Sequence, residues 1–336
     1  MSRTRETWPD AVKIFACVLV VLGHFSQSMV KSGFMPDNDL YGWFQMTVYT
    51  FHVPLFFICS GYLHQRFSRI DSLSAWWLNI RKKTLALGVP YFFFTCVTLA
   101  MKALAGDMTN DAEGGPLQTL FLHPTAPYWY LYALFFMFLV VPTVKTRKGA
   151  LTAVGVSLVL KFVNLAGGGC VSLPYAVDIL CIDLVWFTAG MAMAYFELVR
   201  RLSWKAAAVG ALFLPLSVAV YTLGLGAWAQ FGIGILACTC FVSAAVVGSR
   251  VWARIPGFEA FANWTMPVYL MHTIFAAGLR VALLKVGVTS ALVHIPLGLA
   301  IGFIGPVVAM ILMERFKPLD FLVYPNRYVK LGRSNR

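Results

Sequence analysis

The chain has 336 residues, of which 59% are hydrophobic and 12% charged, and a mean hydropathy of +0.74, far from the roughly 25% charged composition of soluble domains. That balance excludes a soluble enzyme or a disordered tail and defines a polytopic membrane protein. The net charge of +13 sits in short basic loops, which set topology and meet anionic lipid headgroups; no soluble module interleaves basic and stacking aromatic residues, so nucleic acid is not an expected partner.

Ten apolar runs are predicted as membrane helices, at 9–30, 43–63, 84–104, 128–144, 150–166, 174–196, 205–223, 228–248, 264–284 and 290–313. With spans of about 20 residues each, they consume nearly the whole length, so one all-α membrane domain over 1–336 is expected, ending in a short basic tail at 314–336. The first run contains DAVKIFACVLVVLGHF at 10–25. Eleven steps of ~100° return to within about 20° of the starting direction and climb roughly 16 Å, so Lys13 and His24 share one face at two depths. Ionisable groups inside a span point to function by default. Asp10 stands three residues before Lys13, as a partner or a participant. No small-residue cleavage signature follows, so this run is expected to remain as a span rather than a leader.

The second run carries His52 beside Pro54, where a kink is expected, and the third is approached through Arg81, Lys82 and Lys83. Tyr128, Trp129 and Tyr130 open the fourth and suit an interfacial belt. The fifth is weakened by Gly155 and the Gly167, Gly168, Gly169 run, and the seventh is interrupted by Pro215. Lys161, Asp178, Asp183 and Arg280 are candidate site residues or charges that simply pair across helices, and His272, like His52, lies mid-span, with a core hydrogen bond and a pocket role both open.

Basic residues alternate along the chain. Arg3, Arg5, Arg66, Arg69, Arg81, Lys82, Lys83, Lys145, Arg147, Lys148, Arg200, Arg201, Lys205, Arg250, Arg254 and the tail residues Arg315 to Arg336 fall on one side. The opposite loops hold Lys31 and Lys102 with Asp37, Asp39, Asp107, Asp111 and Glu113. The positive-inside rule then puts both termini in the cytoplasm, with an even span count.

The seven cysteines read as small buried hydrophobes; only Cys170 falls in an outer loop. Neither a metal site nor a permanently bound cofactor is expected. No GxGxxG, P-loop, HExxH or GxSxG sequence occurs, so any site is built from polar residues within the spans and at their mouths.

Six segments in order carry a resemblance. They are DAVKIFACVLVVLGHF with Asp10, Lys13 and His24; FHVPLFFICSGYL at 51–63; RKKTLALGVPYFFF at 81–94; YWYLYALFFMFLVVP at 128–142; DLVWFTAGM at 183–191; and WTMPVYLMH at 264–272. Together they resemble the acyltransferase 3 family of membrane O-acyltransferases, in particular its fucose 4-O-acetylase-like branch, over essentially the whole chain. Lys13 stands where many members carry arginine, keeping the charge without bidentate geometry. Arg81 is followed three positions later by Thr84 in place of the family's second arginine. No appended extracytoplasmic domain is expected, since only the basic tail follows the last run.

The resemblance implies transfer of an acyl group, acetyl above others, from cytoplasmic acyl-CoA as co-substrate to a hydroxyl of an envelope or surface glycan, in a bacterial plasma or inner membrane. Under that reading His24 is the general base, as suits an imidazole titrating near neutrality. Lys13 holds a donor phosphate or relay, and Asp10 supports it. Arg81, Lys82 and Lys83 meet the CoA phosphates through charge-assisted bonds, although such clusters are topology signals in most membrane proteins. Trp129 stacks on the donor or anchors the interface, while His52 and His272 line the pocket. The alternative is a multi-span transporter or exporter of a glycan-related substrate, whose site would also lie near the midplane. A non-catalytic envelope scaffold would not need the polar interior.

Overall fold

The structure, a computed structural model, describes residues 6–68, 70–106, 115–167 and 173–332. Arg3, Arg5, Arg69, Asp107, Asp111, Glu113, Gly168, Gly169, Cys170, Arg333 and Arg336, invoked above for topology, loops or helix strength, lie outside them. The described chain is all-helical, and no strand occurs in it.

Helix α1 (Trp8–Lys31) starts with Pro9 in its first turn, where the missing N–H is harmless. Helices α2 (Asp39–Tyr49) and α3 (His52–Phe67) form one long span broken at Thr50 and Phe51, beside the expected kink at Pro54. The Asn38 side chain caps α2 by accepting from Tyr41 N at 3.0 Å. Helix α4 (Leu73–Lys83) continues through a π-helical turn, Thr84–Gly88, into α5 (Val89–Ala105). Pro90 has no N–H to give Ala86, and the wider turn absorbs the fault. Short α6 (Pro116–Phe121) leads to α7 (Trp129–Val140). Then come α8 (Arg147–Gly167), α9 (Tyr175–Tyr195) and the pair α10 (Trp204–Gly210) and α11 (Phe213–Thr222), separated at Ala211 and Leu212 ahead of Pro215. Helix α12 (Ala227–Val247), short α13 (Ser249–Trp252), α14 (Phe258–Lys285), α15 (Ala291–Met313) and short α16 (Lys317–Val323) complete the order.

All ten apolar runs are helical, but nine of the helices or helix pairs among the described residues are long and apolar enough to cross a membrane. The fourth run differs from expectation. Helix α7 has 12 residues, about 18 Å, against a hydrocarbon thickness of about 30 Å. Before it, residues 122–128 run into the bundle without helix. Irregular backbone at such depth survives only where protein or a wet cavity satisfies it, and tertiary partners do so here. Tyr269 donates its hydroxyl to Pro127 O, and the Tyr128 hydroxyl reaches Leu270 O at 3.0 Å.

Glycines set the closest helix crossing. A Cβ on Gly61 of α3 would stand 1.9 Å from Phe187 O, and one on Gly190 of α9 2.0 Å from Ile58 O. The Phe-x-x-Gly segment therefore makes a backbone-to-backbone contact that no larger residue permits.

Two buried apolar clusters share α1. Trp8, Val12 and Ala16 pack with α3, α9, α11 and α12, whereas Cys17, Val20 and Val21 pack with α5, α14 and α15. Helix α14 runs parallel to α1: Cys17 donates its thiol to Thr265 O at 3.5 Å, and farther along Arg280 reaches Ser28. Helix α15 returns antiparallel, with Gly298 against Phe25 and Gly302 against Val21. Both ends of the described chain consequently lie at one end of the bundle.

Candidate functional site

At the seam between the two clusters, α1 carries Lys13 and His24, both half-buried. His24 faces three aromatic side chains from other elements. The His272 ring of α14 is 5.6 Å away between centroids, the Tyr49 ring of α2 is 6.2 Å away edge-on, and His52 at the start of α3 packs on Tyr49 at 4.6 Å. Gly23 makes room for Tyr49, since a Cβ there would approach Tyr49 Cε2 to 3.1 Å. Thus the structure brings His24, His52 and His272 together. Tyr49 completes the group and is absent from the sequence reading, although its position three residues before His52 put it on the same stretch.

The backbone determines the tautomers of two of these rings. His52 Nδ1 lies 2.7 Å from Val48 O, and His272 Nδ1 lies 3.0 Å from both Val268 O and Tyr269 O. A carbonyl only accepts, so Nδ1 of each carries the proton and Nε2 presents a lone pair. His272 Nε2 is buried and has no hydrogen-bond partner among the described residues, so it is available to a ligand hydroxyl. Gln27, one turn beyond His24, is placed to hydrogen-bond the His24 ring.

His24 and His272 form the floor of a cavity of about 770 Å³ that opens at the end of the bundle away from the chain termini. The irregular segment 123–126 makes part of its wall, and Thr98, Tyr175, Thr273 and Arg280 add polar groups.

Toward the terminus-bearing end, Lys13 and Asp10 lie within electrostatic range of buried Cys59 on α3. Lys83 reaches inward, its Nζ 3.9 Å above the Phe138 ring and within Coulombic range of both Lys13 and His64. Of the three basic residues before the third span, Lys83 is therefore the one that meets Lys13; Lys82 is half-buried and Arg81 is exposed. Two lysines held near one another inside a bundle favour an anion between them. Trp129 packs on Phe57 at 6.5 Å. Nine residues separate it from Phe138, which places it roughly 14 Å along α7 and on the opposite face, so the structure does not bring Trp129 to the Lys83 group.

The remaining charges resolve in part. Lys161 and Asp183 oppose each other across α8 and α9, both buried, while Asp178 accepts from Asn164 at 3.0 Å. Arg280 has serine partners instead of a carboxylate among the described residues.

A membrane bundle with two imidazoles at the floor of a cavity, a third packed close by and two half-buried lysines toward the other end has the components for proton transfer beside an anion, the equipment of a membrane-embedded transferase. The chain belongs to the acyltransferase 3 family: the family's model, described as an acyltransferase domain, matches residues 6–314. The protein is accordingly a multi-pass membrane acyltransferase. No curated protein and no solved structure matches the chain significantly.

Proposed function

We propose that the protein is an O-acyltransferase that takes an acyl group, acetyl in the simplest case, from cytoplasmic acyl-CoA and attaches it to a hydroxyl of an envelope glycan. One observation supports this above others. His24 stands on the wall of the 770 Å³ cavity, and the same helix carries Lys13 roughly 16 Å nearer the chain termini, where Lys83 joins it. The donor's phosphates meet the two lysines from the cytoplasmic side, with Lys82 and Arg81 at the surface gathering charge. The pantetheine arm runs along α1, and the acceptor fills the cavity from the outer side.

His24 takes the proton of the acceptor hydroxyl as its oxygen attacks the thioester carbonyl carbon. The carbon–sulfur bond then breaks, the CoA sulfur leaves as a thiol with the proton returned by the imidazolium, and the glycan carries the new ester. His272, with its Nε2 lone pair, and His52 orient the hydroxyl and the His24 ring; Asp10 maintains the Lys13 end of the helix. The basic loops at the terminus-bearing end support a cytoplasmic orientation for that end, and the membrane in this reading is a bacterial plasma membrane.

Purified protein incubated with acetyl-CoA and an envelope glycan fraction should release free CoA and yield acylated glycan by mass spectrometry. Flux of a glycan across proteoliposomes without CoA release would return the protein to the transporter class.

A further inference from the structure

Arg280 is 3% exposed, lines the cavity, and has no carboxylate within ion-pair distance among the described residues. Its Nη1 donates to Ser28 Oγ at 2.5 Å, Ser32 Oγ at 2.6 Å and Ser28 O at 3.2 Å, all neutral, and its Nε is buried without a hydrogen-bond partner among the described residues. A buried guanidinium is stable when an anion accompanies it, and its planar fork matches a carboxylate or phosphate.

The other charged side chains described on the wall share that sign. Lys31, Lys102 and Lys285 line the cavity with Arg280, and among the described residues no aspartate or glutamate does. Ser28, which holds the Arg280 guanidinium, is four residues beyond His24 on α1, about 6 Å farther out on nearly the same face. A ligand whose hydroxyl meets His24 would therefore put a group one sugar ring away against Arg280.

We infer that the cavity takes an anionic saccharide, with Arg280 reading a carboxylate or phosphate on the acceptor beside the hydroxyl that is acylated. This rests on the reading of the cavity as the acceptor site. Arg280 is a binding residue for the acceptor, and Lys31 and Lys285 at the mouth draw the anion in.

The test is binding to purified protein in detergent, by calorimetry, of three probes: methyl glucoside, glucuronate and glucose 1-phosphate. The expected result is that at least one anionic probe binds about tenfold or more tightly than methyl glucoside, as a charge-assisted pair provides. The preference should collapse in Arg280→Gln and fall in the Lys31→Gln, Lys285→Gln double variant, whose exposed positions leave the fold intact if Arg280→Gln does not express. Stronger glucuronate binding assigns a uronate-bearing glycan, and stronger glucose 1-phosphate binding a phosphorylated sugar. Equal affinity for all three probes, a preference unchanged in Arg280→Gln, or, where that variant does not express, a preference unchanged in the double variant, overturns the inference. His24→Ala should keep the preference while losing acyl transfer, and CoA release by the wild type is measured separately, so failure of anion recognition and failure of the transferase reading give different results.

Discussion

The imidazoles of His24 and His272 lie 5.6 Å apart on two parallel helices, and His272 has its Nδ1 proton committed to backbone carbonyls. The pair offers a mobile proton site next to an oriented lone pair. His24→Ala should lower acyl transfer by about 10²–10⁴ while expression and acetyl-CoA binding persist. CoA release and acylated product provide the measurement, and near-wild-type turnover would remove His24 from the mechanism.

If the two rings act as a unit, their losses are not additive. His272→Ala should reduce turnover, and the double variant should be about as slow as His24→Ala alone. A double variant slowed by the product of the two single effects would show that the rings work independently.

Lys83, turned over Phe138, and Arg81, on the surface two residues earlier, should separate in a donor-binding assay. Lys83→Gln should weaken acetyl-CoA binding about tenfold, as loss of a charge-assisted phosphate contact does. Arg81→Gln should change it less, with an effect that vanishes in salt because the exposed charge is screened over about 8 Å. Equal losses for the two variants, read by equilibrium binding at low and high salt, would disconnect donor affinity from the inward turn.

The α3–α9 crossing predicts a stability effect without chemistry. Gly190→Ala drives a methyl group into Ile58 O and should destabilise by about 1–3 kcal/mol or more. Gly155→Ala, with nothing within 4 Å of the new carbon, should be neutral or stabilise by up to about 1 kcal/mol. Thermal unfolding in detergent followed by size-exclusion chromatography distinguishes them; equal melting temperatures would contradict the close approach.

Topology is checked with reporter fusions. Those after Lys148 and Arg336 should report cytoplasm, and those near Asp111 and within 167–173 should report the outside. A translocated carboxyl terminus would reverse the donor and acceptor faces.

The helical bundle was readable because hydropathy and span length are one-dimensional quantities, and the phase of Lys13 and His24 followed from helix geometry alone. The fourth run was not, because composition counts Tyr128 and Pro127 as apolar or interfacial and is blind to the Tyr269 and Leu270 contacts that let the backbone leave the helix there. Nor does a run such as Arg81, Lys82, Lys83 disclose which side chain turns inward, since that depends on where α4 rests against α7. His52, Tyr49 and His272 were visible only as separate polar residues in separate spans. Their convergence on His24 is a product of packing, as is the serine cradle that holds Arg280.

The parallel pairing of α1 with α14 also sets a timetable for biosynthesis. Cys17 and Thr265, which touch, are 248 residues apart in the chain, so α1 leaves the ribosome among the first segments and its partner among the last. During most of translation His24 has Tyr49 and His52 near it but lacks the His272 ring and the α14 wall of the cavity. On the proposed mechanism activity therefore begins at a late insertion event, and products of premature termination lack the His272 side of the centre.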